Sequence, residues 1–178
     1  MDSLAFPPPG VIPGERELRE EVRAFVREEL KDYPADERTY SWNAFDADFA
    51  RKLGKRGWLG LTWPKRYGGH ERTSLERYVI TEELLAAGAP LGFCWVADRQ
   101  SGPLMLRFGT EEQRQRFLPV IAAGECSFCI GMSEPDAGSD LSAVRTRATR
   151  VDGGYRINGR KIWTSNAHLS EYLILFCR

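Results

Sequence analysis

The sequence predicts an α+β fold in which an all-α helical domain precedes a small set of β-strands. Apolar residues recur at helical spacing through the first two thirds of the chain, and near residue 125 the period becomes that of short strands. The composition agrees, because 42% hydrophobic and 28% charged residues in a chain of 178 are typical of a globular protein. We therefore predict a helical domain over residues 1–124 and the start of a β-domain over residues 125–178.

Five helices are predicted in the first domain. Leu18 and Val22 begin the apolar face of the first helix, and capping boxes at Thr73 and Thr110 predict where the third and fifth begin. The fourth is apolar on most sides, and Pro103 should kink or split it. The predicted helices cover residues 15–33, 43–56, 73–87, 91–108 and 110–124.

Four short strands are predicted in the second domain, and the turn Asp152-Gly-Gly154 joins the middle two as a hairpin. They cover residues 126–132, 144–151, 155–161 and 171–177. The last strand is apolar, and no turn signal follows it before Arg178. Because a few strands with an unpaired apolar edge make an unstable sheet, we expect an incomplete β-domain and a chain that is an N-terminal fragment.

Charge and hydropathy argue against two classes of partner. The 25 basic and 25 acidic residues give a formal net charge of zero, whereas binding to nucleic acid requires a clearly basic face. No apolar run approaches the roughly 18 residues needed to cross a membrane. The first ten residues match neither a signal peptide nor a mitochondrial presequence. We expect a soluble, cytoplasmic protein with no nucleic-acid or membrane partner.

Cys126 and Cys129 form a C-x-x-C pair, a spacing that metal and redox sites use. Within a strand, side chains three residues apart point to opposite faces, so these two cannot share a metal without breaking the strand. No second pair and no neighbouring histidine completes a zinc site. We predict reduced thiols in the core and no bound metal.

The first candidate binding segment covers residues 131–140 and is rich in Gly, Ser and Asp. A strand end followed by such a loop exposes backbone N–H groups and the hydroxyls of Ser133 and Ser139, which can face an anionic or carbonyl-rich ligand. The alternative is an ordinary surface loop between strands, which has the same composition.

The second candidate segment is centred on Trp163. If residues 161–165 are extended, Trp163 and Ser165 share one face, and an indole beside a hydroxyl is suited to bind a flat heteroaromatic ring. The alternative is a tryptophan packed in the core of the sheet, which is the only interpretation that we give to Trp42, Trp58 and Trp95.

Together these segments resemble the motifs of the acyl-CoA dehydrogenase family. The matching residues are Met132-Ser-Glu-Pro-x-Ala-Gly-Ser-Asp140 and, after a hairpin, Asn158-Gly-x-Lys-x-Trp163-x-Ser-Asn166. Arg107-Phe-Gly-Thr-Glu-Glu-Gln113 and Phe117-Leu-Pro119 are similar to the helices that lead into the family's β-domain. The resemblance covers the chain from about Glu15. It implies a helical domain, then a middle β-barrel that is incomplete here, with a C-terminal four-helix domain absent.

The resemblance implies that the chain binds FAD. Ile130 to Ser133 would lie along the flavin, with Ser133 bonding its pyrimidine edge, and Trp163 would stack on the ring while Ser165 bonds near N5. Many relatives have threonine where Ser133 and Ser165 stand, so the hydroxyl is kept. The predicted cofactor-binding residues are Ile130, Met132, Ser133, Gly138, Ser139, Trp163, Thr164 and Ser165.

The implied reaction is α,β-dehydrogenation of an acyl-CoA, in which a carboxylate removes the α-proton and the β-hydride passes to flavin N5. That base belongs to the family's C-terminal domain, so we assign no catalytic residue here. The resemblance also implies an electron-transfer flavoprotein or another acceptor. It further implies a homo-oligomer, dimer or tetramer, in which a second subunit completes the FAD site.

The resemblance assigns substrate contacts to Ser139, which would meet the pantetheine, and to the fourth helix with Phe93 and Trp95. A bulky Trp95 could shorten the acyl pocket and favour short or branched chains. Two other functions stay open: a flavin monooxygenase or nitroalkane oxidase of the same fold, and a non-catalytic subunit that pairs with a partner.

Overall fold

The helical part accounts for most of the chain in the computed structural model, which describes residues 13–178. The prediction about the first ten residues therefore concerns a segment outside the described residues. The α-helices within that range are Glu15–Glu29 (α1), Ala35–Arg38 (α2), Ala47–Lys55 (α3), Ser74–Ala86 (α4), Gly92–Val96 (α5), Gly102–Phe108 (α6) and Glu111–Ala122 (α7). The strands are Phe128–Gly131 (β1), Arg147–Val151 (β2), Gly154–Asn158 (β3) and Tyr172–Leu175 (β4).

Both predicted capping boxes are present. The Thr73 hydroxyl accepts from the Glu76 N–H at 3.2 Å, and the Glu76 carboxylate accepts from the Thr73 N–H at 2.8 Å. Thr110 and Gln113 make the same two bonds at 3.2 and 2.9 Å. Because these bonds satisfy N–H groups that the first helical turn leaves free, they fix where α4 and α7 begin.

The first two predicted helices have different bounds in the structure. The first ends at Glu29 rather than near residue 33: the Leu30 N–H still donates to the Val26 carbonyl at 2.9 Å, but Leu30 itself leaves helical geometry. The second begins only at Ala47, where the Asp46 carboxylate caps it by accepting from the Phe49 N–H at 2.9 Å.

The predicted helix over residues 91–108 is interrupted, but not at Pro103. A π-helical turn at Ala97–Ser101 separates α5 from α6, and Pro103 lies in the first turn of α6, where its missing N–H is not needed. Within the π-turn, buried Asp98 accepts from the Gly60 N–H at 2.7 Å and pairs with Arg99 at 3.1 Å. Burial raises the pKa of the Asp98 carboxyl.

The core consists of two adjoining clusters of buried side chains. The larger lies between α1, α3, α4 and α5 and includes Val22, Phe49 and Val79. The second joins α7 to β1 through residues such as Leu118 and Phe128. The second cluster therefore holds the first strand against the helices.

The four strands form two two-stranded sheets and no closed barrel within the described residues, so the β-domain is incomplete, as predicted. β1 runs parallel to β4, with Phe128 opposite Tyr172 and Gly131 opposite Leu175. β2 and β3 form the predicted antiparallel hairpin. Past β4, the Arg178 N–H donates to the Thr146 carbonyl at 2.9 Å, and the Ala148 N–H donates to the Arg178 carbonyl at 2.6 Å, which connects the two sheets.

Cys126 and Cys129 are buried free thiols, as predicted, and burial raises the pKa of the Cys126 thiol to about 12. The last helix ends at Ala122 and the first strand begins at Phe128. The domain boundary at residue 124 stays a prediction. Among the described helices, none has the length and hydropathy that a membrane span requires.

Candidate flavin site

The first predicted binding segment begins on β1 and leaves it at Gly131. Ile130 is half-buried opposite Ile174 of β4, whereas Met132 is exposed and Ser133 partly exposed. The chain then folds into a tight turn, because Glu134 and Ala137 exchange backbone hydrogen bonds of 2.8 and 3.1 Å. The chain therefore reaches the surface at Met132 and Ser133, directly after the end of β1.

The second predicted segment is not the extended strand that the sequence analysis assumed. Trp163 has φ 56° and Asn166 has φ 58°, and both lie in the left-handed region that non-glycine residues seldom adopt. The expectation that Trp163 and Ser165 share a face by strand alternation is therefore wrong.

Trp163 is also not a core residue, because it is 86% exposed. The alternative of a tryptophan packed in the sheet is wrong for this position. Thr164 is half-buried and Ser165 is exposed. Of the three tryptophans that were assigned to the core, Trp58 is buried as expected and Trp95 is half-buried, but Trp42 is exposed, which contradicts its assignment.

Specific hydrogen bonds bring the two predicted segments together. The Ile162 N–H donates to the Ser133 carbonyl at 2.9 Å, and the Lys161 ammonium donates to the Met132 carbonyl at 2.8 Å. These bonds place the residue before Trp163 directly against Ser133. The surface at this place combines the apolar end of β1, the hydroxyls of Ser133 and Ser165, and the exposed indole of Trp163.

The helical part contacts the same loop. The Asn166 side-chain amide lies 3.3 Å from both the backbone and the side-chain oxygen of Asn43, which precedes α3. Residues 161–166, which we call the Trp163 loop, are therefore held from two sides, by the end of β1 and by the helical part.

Sequence reasoning missed the charged pair beneath this surface. The Glu134 carboxylate accepts from the Lys161 ammonium at 2.9 Å and from the N–H groups of Arg145 and Thr146 at 2.7 and 2.9 Å. The Thr146 side chain, the Lys161 ammonium and the backbone N–H groups hold the pKa of the Glu134 carboxyl well below its usual range. Both residues lie in the quoted motifs, but nothing in the motifs says that they meet.

The remaining predicted site residues lie elsewhere. Gly138 and Ser139 are exposed in the loop that follows the tight turn, and no atom lies within 4 Å of the position that a Gly138 side chain would take. Phe93 is buried in α5 with its ring centroid 5.1 Å from that of Phe45. The half-buried Trp95 ring lies 5.4 Å from the Arg99 guanidinium carbon. Phe93 is thus a core residue in this structure.

The helical part and the strands that follow it each match a known domain. A family model described as acyl-CoA dehydrogenase, N-terminal domain, matches residues 13–125, and one described as acyl-CoA dehydrogenase, middle domain, matches residues 129–178. The chain belongs to the acyl-CoA dehydrogenase family.

Individual relatives support this assignment. The chain is similar to acyl-CoA dehydrogenase FadE26 of Mycobacterium tuberculosis, with 37% identity over 93% of the chain and 42% of that protein. It is similar to the solved structure of the Tcur3481-Tcur3483 steroid ACAD, with 40% identity, a TM-score of 0.83, and coverage of 95% of this chain and 44% of that one. A glutaryl-CoA dehydrogenase from Mycobacterium smegmatis, solved in complex with FADH2, matches with 29% identity, a TM-score of 0.82, and coverage of 94% and 43%. The chain spans less than half the length of these relatives.

Proposed function

We propose that this chain forms the helical and first β-part of an FAD-dependent acyl-CoA dehydrogenase. The observation that carries the proposal is the hydrogen-bonded approach of the two predicted segments, where Ile162 meets Ser133 at 2.9 Å beside the exposed indole of Trp163. The FADH2 named in the structure of the glutaryl-CoA dehydrogenase supports the choice of cofactor.

The residues at this surface fit a flavin ring. A flat heteroaromatic ring needs a stacking face and hydrogen-bond partners at its edge, and Trp163 offers the first while Ser133, Thr164 and Ser165 offer hydroxyls. Half-buried Ile130 adds an apolar contact. An 86% exposed indole in a strained backbone contributes little to packing, which is the expected state of a side chain whose partner is a ligand.

Bound FAD would supply a hydride acceptor. The residues of this chain would orient the ring and exclude water from it: the hydroxyls of Ser133 and Ser165 at its polar edge, and the indole of Trp163 over one face. Fixed donors aimed at the place where negative charge develops act more strongly in a site that is shielded from water.

The proposal assigns proton abstraction to a carboxylate outside the two matched domains. In the same way, it assigns part of the FAD contacts to a second subunit of a homo-oligomer and reoxidation to an electron-transfer flavoprotein or another acceptor. What supports these assignments is membership of the family, whose matched members are more than twice as long as this chain.

Two observations point to different sizes of the acyl group in the substrate. Trp95 on α5 favours a short or branched acyl chain if it lines the pocket, whereas 40% identity to a steroid ACAD favours a bulky, ring-bearing acyl group. We favour the bulky group, because the Arg99 guanidinium already lies over the Trp95 ring at 5.4 Å.

The direct test is anaerobic mixing of the FAD-loaded protein, in the length that its source makes, with acyl-CoA thioesters. The panel contains straight-chain, branched and steroid side-chain thioesters. We expect at least one to remove the visible absorption of the oxidised flavin. If the protein binds FAD and no thioester reduces it, a monooxygenase or oxidase of the same fold takes the place of the dehydrogenase. If it binds no FAD, a non-catalytic subunit takes its place.

A further inference from the structure

Glu134 and Lys161 form an ion pair that is buried although its neighbours in the sequence are exposed. Its side chains are 7% and 8% exposed, although Met132 and Trp163 beside them are 39% and 86% exposed. Removing two charges from water is costly, and such a pair is often no more stabilising than apolar residues of similar size. Stability alone therefore gives little reason to place it beneath a surface loop.

The Glu134 carboxylate connects three separate segments of the chain. One oxygen accepts from the Arg145 N–H at 2.7 Å, and the other accepts from the Thr146 N–H and the Lys161 ammonium, both at 2.9 Å. The Lys161 ammonium also donates a hydrogen bond to the Met132 carbonyl at 2.8 Å. Removal of this one carboxylate would release residues 145 and 146, just before β2, from the strand end. The strand end and the Trp163 loop would then be joined only by the bonds to the Met132 and Ser133 carbonyls.

The proposed flavin contacts are the immediate neighbours of this pair. Ser133 precedes Glu134, and Trp163 lies two residues after Lys161, with the bond from Ile162 to the Ser133 carbonyl between them. We propose that Glu134 and Lys161 are positioning residues, which hold the Ser133 hydroxyl and the Trp163 indole in the relative placement that flavin binding requires. This inference rests on the proposed function.

The same loop contains a second ion pair that serves as a matched control. Asp136 and Arg145 lie 3.4 Å apart, but both side chains are exposed, at 73% and 80%. An exposed pair of this kind contributes little to stability and fixes no backbone segment. Asp136→Asn removes a carboxylate only two residues from Glu134 and should leave the flavin surface unchanged.

The experiment compares Glu134→Gln, Lys161→Met and Asp136→Asn with the wild type, all in the length that the source makes. Lys161→Met leaves both backbone bonds of Glu134 intact. The double variant Glu134→Gln/Lys161→Met is added because it removes both charges together and leaves no unpaired buried charge that could unfold the chain. The first readout is hydrogen exchange without FAD, and the second is the Kd for FAD.

Without FAD, we expect faster amide exchange at residues 131–134 and 161–166 in both Glu134 and Lys161 variants, and also at residues 145 and 146 in Glu134→Gln, with α1 and α4 unchanged. A merely structural pair would instead raise exchange throughout. With FAD, we expect the Kd to rise about tenfold in both variants, as for the loss of one charged hydrogen bond. Asp136→Asn should stay within about twofold of the wild type.

The two readouts separate this inference from the proposed function. If the wild type binds no FAD, the proposed function fails, while the exchange data still report whether the pair holds the two segments. If the wild type binds FAD, and Lys161→Met binds it within about twofold and exchanges like the wild type, the positioning role is overturned.

Discussion

Trp163 combines two features that are individually unfavourable in a folded protein. Its φ of 56° places a bulky side chain in the left-handed region, and its indole is 86% exposed. Such backbone strain amounts to about 1–3 kcal/mol and persists where the surroundings enforce it, often at functional sites. The surroundings here are the bond from Ile162 to Ser133 and the contact of Asn166 with Asn43. We interpret the strain as the means by which the indole is presented to a ligand.

Trp163→Ala should therefore weaken flavin binding without weakening the fold. We expect the Kd for FAD to rise about tenfold, or by about 1.4 kcal/mol, because a stacked aromatic contact is lost. The midpoint of thermal unfolding should not fall, since the indole buries little of its surface. Tyr78→Ala is the control for FAD binding, because Tyr78 is 57% exposed on α4, where its hydroxyl donates to Glu82 at 2.8 Å, and its loss should leave the Kd unchanged. An unchanged Kd in Trp163→Ala would remove this residue from the site.

Glu134 should make stability depend on pH in a predictable direction. Because its pKa is lowered in the folded state, its contribution is present above the pKa of about 4.3 for a glutamate in an unfolded chain, and is lost as the pH falls below that value. The difference in unfolding free energy between the wild type and Glu134→Gln should therefore be largest near pH 7 and shrink steadily as the pH falls from about 5 towards the lowered pKa of the folded state. Denaturant titrations at several pH values measure it. A difference that is constant with pH would contradict the assigned ionisation.

The site shows what the motifs alone could and could not predict. They located the segments around Ser133 and Trp163 and the kinds of side chain there. They gave the wrong backbone for Trp163, because alternation assumes an extended strand, while its conformation is set by contacts as distant as Asn43, 123 residues away. Glu134 was missed for the same reason: its partners are brought to it by the fold.

At the scale of elements, local sequence signals predicted where α4 and α7 begin, but not where a helix is interrupted. The capping boxes of α4 and α7 were predicted correctly, because each is a contact across three residues. The π-turn between α5 and α6 was not, since it accompanies a tertiary bond between Asp98 and Gly60. The β2–β3 hairpin was predicted from its glycine turn, while the parallel pairing of β1 with β4 carries no local signal.

The approach of α3 to the end of α7 depends on a glycine. A side chain built on Gly54 would lie 2.2 Å from the backbone oxygen of Ala123, which cannot move without shifting α7. Gly54→Ala should therefore lower the unfolding free energy by about 1–3 kcal/mol, even though alanine favours helices.

Denaturant titration measures this change. Gly154→Ala is the control, because no atom lies within 4 Å of that position at the start of β3. If Gly54→Ala is as stable as Gly154→Ala, α3 and α7 are packed less closely than the structure indicates.

At the scale of the whole molecule, the chain presents one side of a proposed cofactor site. The family models match its N-terminal and middle domains, and it spans less than half the length of the relatives described above. If the remaining FAD contacts come from elsewhere in the family's assembly, the 178-residue chain by itself should bind FAD weakly or not at all. Flavin titration of this chain, alongside the protein in the length that its source makes, measures the difference. Tight, stoichiometric binding by the 178-residue chain would contradict a shared site.

The end of β1 and the Trp163 loop together form one wall of the proposed flavin site. An experimental structure of the source-length protein with bound FAD tests this most directly. We expect the flavin ring to lie against Ile130 to Ser133, with the Trp163 indole stacked on it and the Glu134–Lys161 pair intact beneath. A flavin bound elsewhere on the molecule, or a Trp163 loop turned away from it, would contradict the account.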